Sequence, residues 1–237
     1  MSWHLGRLAG FDLETTGVDV ETDRIVTACV VQCGGGQPTA SASWMADPGI
    51  EIPEGASNVH GITTERARAE GKPAAEVVAD VLAALGQVIA AGIPIVAMNA
   101  RYDLTLLDRE ARRHGLTPLP AAHVVDPLVL DKHLDRFREG SRTLTALCDH
   151  YDVRLDGAHS ADADAVAACR LAWRMGSTRS DLAALPLDTL HSQQAAWAAE
   201  QATSLADYFR RTPGKEHQAD GVRSEWPLIP HQQDGDL

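Results

Sequence analysis

The chain has 237 residues, 44% of them apolar, with 21 Lys plus Arg against 33 Asp plus Glu and a net charge of −12. That length suits one domain of ordinary size with a tail, and the apolar content excludes disorder throughout. The acidity excludes a grip on a nucleic-acid duplex by counterion release, which needs a basic face, and it leaves carboxylates in excess for holding metal ions.

In chain order, Leu8 to Leu13 reads as a strand ending in the Glu14-Thr15-Thr16-Gly17 turn, and Ile25 to Val31 as a second strand closed by Gly34-Gly35-Gly36. Ser41 to Met45 is a weaker third strand, so three antiparallel strands open the chain. Residues 47 to 62 read as a loop, and Thr63 or Thr64 caps a short helix after it. Pro73 stands at the start of the next helix. Val77, Val78, Val81, Leu82, Leu85 and Ile89 form its apolar face, and Gly92 ends it. Ile93 to Met98 reads as a strand buried on both faces, with Pro94 tolerated only at its start. A helix from Asp103 to His114 stops at Gly115, and Val124-Val125 marks one more short strand. Further helices are expected near Leu144 to Asp152 and from about Asp162 to Met175, the latter with Val166, Cys169 and Trp173 on one face.

A long helix is expected over Leu187 to Arg211, after Pro186 and folded back on the core. From Pro213 onward disorder is the default, with Trp226, Leu228 and Ile229 as the alternative, an apolar anchor. No run approaches the roughly 18 apolar residues of a membrane-spanning helix, and no secretory signal stands at the N-terminus. Cys29, Cys33, Cys148 and Cys169 contain no Cys-x-x-Cys pair, so free thiols in a reducing cytoplasm are expected.

Three short stretches carry chemistry. Asp12 and Glu14 flank Leu13 on the first strand, so both carboxylates point to one face. Two acids side by side repel each other unless a divalent cation neutralises them, although a strand end with two solvated acids is common. Asn99 to Asp103 follows a buried strand at its carboxyl end, where ligand sites of α/β sheets collect. Taken alone, Asp103 is a first-turn acid and Asn99 a turn residue. His159 and Asp164 lie around the start of the last core helix, with Asp162 the preferred cap.

Together these stretches read F-D-L-E-T-T-G at 11–17, N-A-R-Y-D at 99–103 and H-S-A-D-A-D-A at 159–165, with V-H-G-I-T at 59–63. In that order and spacing the sequence resembles the His-type DEDD (DnaQ-like) 3′–5′ exonucleases of the RNase H-like superfamily, over roughly residues 5 to 175. The resemblance implies an α/β fold: a mixed five-stranded sheet with helices on both sides. The exonuclease domain would occupy residues 1–178, and residues 179–237 would form a C-terminal helical extension and tail.

By the family pattern Asp12, Glu14, Asp103 and Asp164 bind two divalent ions, Mg²⁺ or Mn²⁺, and His159 is the general base. Asp12 would bridge both ions, Glu14 and Asp164 would complete the one holding the attacking water, and Asp103 would orient the other. His159, with an unperturbed pKa of about 6.5, suits a proton acceptor near neutral pH. Leu13, Thr15, Thr16 and His60 are expected at the terminal nucleotide, with Asn99 and Tyr102 further along, although core packing competes for Tyr102. Aromatic residues make up only 5% of the chain, which favours a short footprint on single-stranded 3′ ends. DNA is the favoured substrate. The alternatives are an oligoribonucleotide-degrading RNA exonuclease and a proofreading or repair subunit whose long C-terminal helix docks a polymerase.

Overall fold

The computed structural model describes residues 2–157 and 160–231. Three antiparallel strands open the fold: β1 (Arg7–Thr15), β2 (Ile25–Gly34) and β3 (Ala40–Asp47). Two short helices follow, α1 (Glu54–His60) and α2 (Thr64–Glu70), then β4 (Lys72–Pro73) and α3 (Ala74–Ala90). The second half contains β5 (Ile95–Val96), α4 (Ala100–Arg113), β6 (Val124–Val125), α5 (Pro127–Leu134) and α6 (Leu144–Tyr151). It ends in α7 (Ala161–Thr178), α8 (Ser180–Ala183) and α9 (Leu187–Arg211).

The sheet runs β4-β3-β2-β1-β5-β6, with β5 and β6 parallel to β1. It is the expected mixed sheet plus a sixth, two-residue strand. Lys72 and Pro73 pair in parallel with Ala46 and Asp47, and Pro73 is at the same time the N-cap of α3, the helix start expected of it. The Ile93–Met98 strand is shorter than expected: only Ile95 and Val96 pair on both sides, although the Pro94 carbonyl still accepts from the Ala9 N–H at 3.0 Å. Helix α1 stands where the sequence predicts a loop, because the seven residues of Glu54–His60 bury no apolar face that a periodicity could reveal.

Alternation along β1 sorts the core. Ala9, Phe11 and Leu13 pack with residues of α3 and α4, whereas Leu8 faces Ala168, Cys169 and Ala172 of α7. That parity sends Asp12 and Glu14 to the α7 side. The helix comes close because its inner face is small: Ala161, Ala165, Ala168 and Ala172 are all buried. Gly10 completes the approach, since a Cβ there would collide with the Ala165 carbonyl. Val166, Cys169 and Trp173, expected on one face, differ in burial: Cys169 is buried with Ala172 and Met175, whereas Trp173 is 48% exposed. Asp162 is exposed and does not cap α7; Ser160 holds the cap position without a side-chain bond.

Thr63 caps α2 by accepting from the Arg66 N–H at 3.3 Å. All four cysteines are free thiols, and among the described residues no helix is long and apolar enough to cross a membrane.

The C-terminal extension closes an open edge. Strand β6 would leave its backbone groups unpaired, a liability of edge strands. Helix α9 covers them: the Gln194 amide donates to the Val124 carbonyl at 2.9 Å and accepts from the Asp126 N–H at 2.8 Å. The His191 ring accepts from the Val124 N–H at 3.1 Å. The described part of the segment after Pro213 is docked through residues 226–229. Trp226 packs against the core, the Ile229 N–H donates to the Thr105 hydroxyl at 3.0 Å, and Arg109 donates to the Ile229 carbonyl at 3.1 Å.

Candidate active site

The carboxyl ends of β1, β5 and β6 share one rim of the sheet, and the motif residues gather there. Asp12 and Glu14 come from β1 and Asp164 from the first turn of α7. One carboxylate oxygen from each of the three lies within 4.8 Å of the others. Asp103, in the first turn of α4 and 4% exposed, reaches the same strand: its Oδ1 accepts from the Leu13 N–H at 3.2 Å. Strand parity, the Gly10 approach and the start of α4 therefore bring the four acids to one place.

Their electrostatics show what the cluster lacks. Burial, with Asp103, Asp164 and Glu14 adding repulsion, holds the Asp12 pKa well above the carboxylate range. Burial and then Asp164 push Glu14 to about 7. Burial raises Asp103 well above its ordinary value, opposed by its bond from Leu13. Acids held this close are stable as anions only beside a cation. The donors are all carboxylate oxygens, a set that suits a hard divalent cation.

The remaining expected residues divide. His60, at the end of α1, lies against the Thr15 backbone; burial lowers its pKa and that backbone contact opposes the shift. Its Nδ1 accepts from the Ile62 N–H at 3.1 Å. The Thr15 hydroxyl donates to the Gly17 carbonyl at 2.6 Å and meets the Tyr102 hydroxyl at 2.7 Å. Tyr102 is also packed against the core, so it braces the end of β1. Thr16 is 2% exposed and committed to the turn: its N–H donates to the Arg24 carbonyl at 3.0 Å, and its hydroxyl donates to Asp23 at 2.7 Å. It therefore has no donor to offer a substrate. Asn99 is left-handed (φ 62°) and makes no side-chain cap. His159 lies outside the described residues.

One residue at this rim was not singled out from the sequence. Asp126, 1% exposed, accepts from the Asn99 and Ala100 N–H groups at 3.1 and 3.0 Å and so sets the start of α4, three residues before Asp103. It also caps α5 through the Leu128 N–H at 2.9 Å and accepts from Trp226 Nε1 at 3.2 Å. The Asp126-Pro127 pair is a helix-start signal, a cap followed by a proline at the first helical position. Its link to α4 is tertiary and leaves no sequence trace.

Comparison with known proteins agrees with this geometry. Residues 9–172 match the RNase T-type exonuclease family. The chain is 31% identical over 157 residues to the PolC-type DNA polymerase III of Lacticaseibacillus paracasei, a match covering 66% of this chain and 10% of that protein. It is 30% identical over 166 residues to the PolC-type polymerase of Halalkalibacterium halodurans, covering 70% and 11%. The chain thus spans about a tenth of the length of these curated relatives. Among solved structures, E. coli exonuclease I superposes with a TM-score of 0.67 at 21% identity, covering 84% of this chain and 46% of that one. An exonuclease I–single-stranded DNA complex superposes with a TM-score of 0.63 over 75% and 42%. With four clustered acids, a family match across most of its length and an RNase H-like sheet, the chain belongs to the DnaQ-like DEDD exonucleases.

Proposed function

We propose that the protein is a metal-dependent 3′–5′ exonuclease that hydrolyses phosphodiester bonds at the end of a single strand, DNA in preference to RNA, and releases nucleoside monophosphates. The observation that carries this reading is the Asp12–Glu14–Asp164 cluster, with Asp103 fastened to the strand between the first two. Asp12, Glu14, Asp103 and Asp164 would hold two Mg²⁺ or Mn²⁺. When bound, such ions activate water and stabilise the departing 3′-oxygen.

The chain's own residues do the rest. Asp103 and Tyr102 hold the end of β1 rigid through Leu13 and Thr15, so Asp12 and Glu14 need not reorganise to meet a ligand. Gly10 keeps Asp164 close to them. His159, by its place in the motif, takes the proton from the attacking water. Leu13, Thr15 and His60 form the wall for the terminal nucleotide, with Asn99 and Tyr102 beside the preceding one. Thr16 supports that wall from within the turn.

The test is a time course on 5′-labelled single strands of matched DNA and RNA with Mg²⁺ or Mn²⁺. Ladders should shorten from the 3′ end, faster on DNA, and vanish in Asp12→Ala and His159→Ala. A ladder surviving both substitutions sinks the site assignment, and faster loss of very short RNAs favours the oligoribonuclease alternative. The PolC likeness favours a second reading, service to a DNA polymerase, which predicts co-purification with a polymerase subunit.

A further inference from the structure

We propose that the groove between α5 and α9 is a second strand-binding subsite, holding a backbone phosphate upstream of the reacting end and stacking a base on Tyr208. It rests on the nuclease reading and extends the footprint beyond the two nucleotides placed at the acidic end. The groove is a cavity of about 290 Å³ lined by Arg101, Lys132, Arg136, Arg142 and Arg223, with Asp126 as its carboxylate. Five of the 21 Lys and Arg of a chain with net charge −12 thus converge on one small space. Like charges gathered this way attract an anion wherever they lack a carboxylate of their own.

Among the described residues, two of the five charges are paired with carboxylates and three are not. Asp126 is buried, and both its oxygens are occupied by backbone and Trp226 donors. Arg142 pairs with Asp131, and Arg223 with Glu225. Arg101 donates to the Arg223 carbonyl and Arg136 to the Ser204 hydroxyl; among the described residues neither has a carboxylate partner. Lys132 makes no hydrogen bond or ion pair among the described residues. Burial draws its pKa below the usual lysine value, Asp126 opposes that, and Arg142 and Arg101 add to the lowering.

The position suits a strand leaving the acidic cluster. Asn99, four residues before Asp103, lines the groove. Strand β6 lies two places from β1, roughly 10 Å across the sheet, the reach of the next few phosphates. Tyr208 lines the groove and is 53% exposed, with the Lys215 ammonium 5.6 Å from its ring centre. Asp207 beside it is paired with Arg210 and Arg211. An exposed aromatic ring beside a basic groove is the combination by which single strands are held without base reading. The 5% aromatic content argued for a short footprint; the groove puts an aromatic ring where the positive charge is.

The experiment measures fluorescence anisotropy of 5′-labelled thymidine trinucleotide and dodecanucleotide with the full chain in EDTA, where the metal-dependent end site is silent. The dodecanucleotide should bind more tightly than the trinucleotide. Lys132→Gln should weaken the longer strand about tenfold and lower the slope of log affinity against log salt by about 0.7. Tyr208→Ser should weaken it roughly fivefold or more. Neither should change Mg²⁺-dependent hydrolysis of the trinucleotide. Arg136→Gln, at an exposed position, provides a second charge removal should Lys132→Gln melt early. Wild-type affinity and salt slope in all three variants would overturn the proposal. So would a polyglutamate peptide held as tightly as the dodecanucleotide, which would make the groove a protein-docking surface. If wild type binds the dodecanucleotide in EDTA but shortens no strand in Mg²⁺, the nuclease reading fails and the subsite stands; strand shortening without EDTA binding does the reverse.

Discussion

The ends of β1 and β6 share a rim of the sheet yet are built from opposite charge. At β1, Asp12, Glu14 and Asp164 crowd together, with oxygens within 4.8 Å. At β6, five cations surround a cavity whose carboxylate, Asp126, is already saturated. The two ends could have neutralised each other, and they do not. Each is held rigid by its own contacts, Asp103 to Leu13 on one side and Asp126 to Asn99, Ala100 and Trp226 on the other. An acidic cluster beside a groove with three cations unpaired among the described residues is what a phosphodiester chain with bound divalent cations complements. The net charge of −12 therefore averages over a rim at which both signs are concentrated.

The comparison can be broken at either end. The largest effect is expected at β1: Asp12→Ala should slow strand shortening by about 10³-fold or more, since a lost metal ligand removes several kcal/mol of transition-state stabilisation. A tenfold loss or less, in single-turnover assays with saturating Mn²⁺, would make the acidic end incidental. Next comes Asp126→Ala, which strands several buried donors and should cost about 3 kcal/mol in urea unfolding. It should also lower hydrolysis, because α4 loses the anchor that places Asp103. Gly10→Val should cost about 2 kcal/mol by overpacking against α7, and should abolish the Mn²⁺-induced rise in Tm.

A pH experiment sharpens the contrast further. In the folded chain Glu14 keeps its proton up to about 7, against an ordinary value of 4.5. Between those values the folded state binds more protons than the unfolded one, so metal-free stability falls as pH rises. Comparing wild type with Glu14→Gln in EDTA, the wild type should lose roughly a few degrees more Tm from about pH 5 to about pH 8. With Mn²⁺ the sign should reverse, since binding needs the anion. The smallest effect is at the other end: Trp226→Phe removes the Nε1 bond to Asp126 and should cost about 1 kcal/mol.

Much of the acidic end was legible in the sequence. Leu13 between two acids fixes their shared face, because side chains on a strand alternate. Asp103 in a first turn and Asp164 near a helix start follow from local signals. Helix α9 begins after Pro186 as read, since proline at a cap and a long Ala-rich run are both local features. Strands β5 and β6 are two residues each in the ladder, and their extent is set by neighbours rather than by pattern. Trp173 does not share the burial of Cys169, because alanines fill the inner face of α7 so that the helix can approach Gly10. Thr16 was read as a substrate contact from its motif, but the turn it closes uses its hydroxyl.

The basic end was invisible for a different reason. Arg101, Lys132, Arg136, Arg142 and Arg223 are spread over more than half the chain, and no spacing rule joins them. The docking of the last segment was only one of two readings, because Trp226, Leu228 and Ile229 have no periodicity. What the sequence determined by itself was chemistry bound to short range: which acids share a face, which residues start a helix, which runs are apolar. What only the tertiary structure decided was the meeting of distant groups, Gly10 with Ala165, Gln194 with the edge of β6, and scattered cations with one groove. Strand and helix periodicities act over a few residues, whereas such contacts arise only when the sheet has set its order.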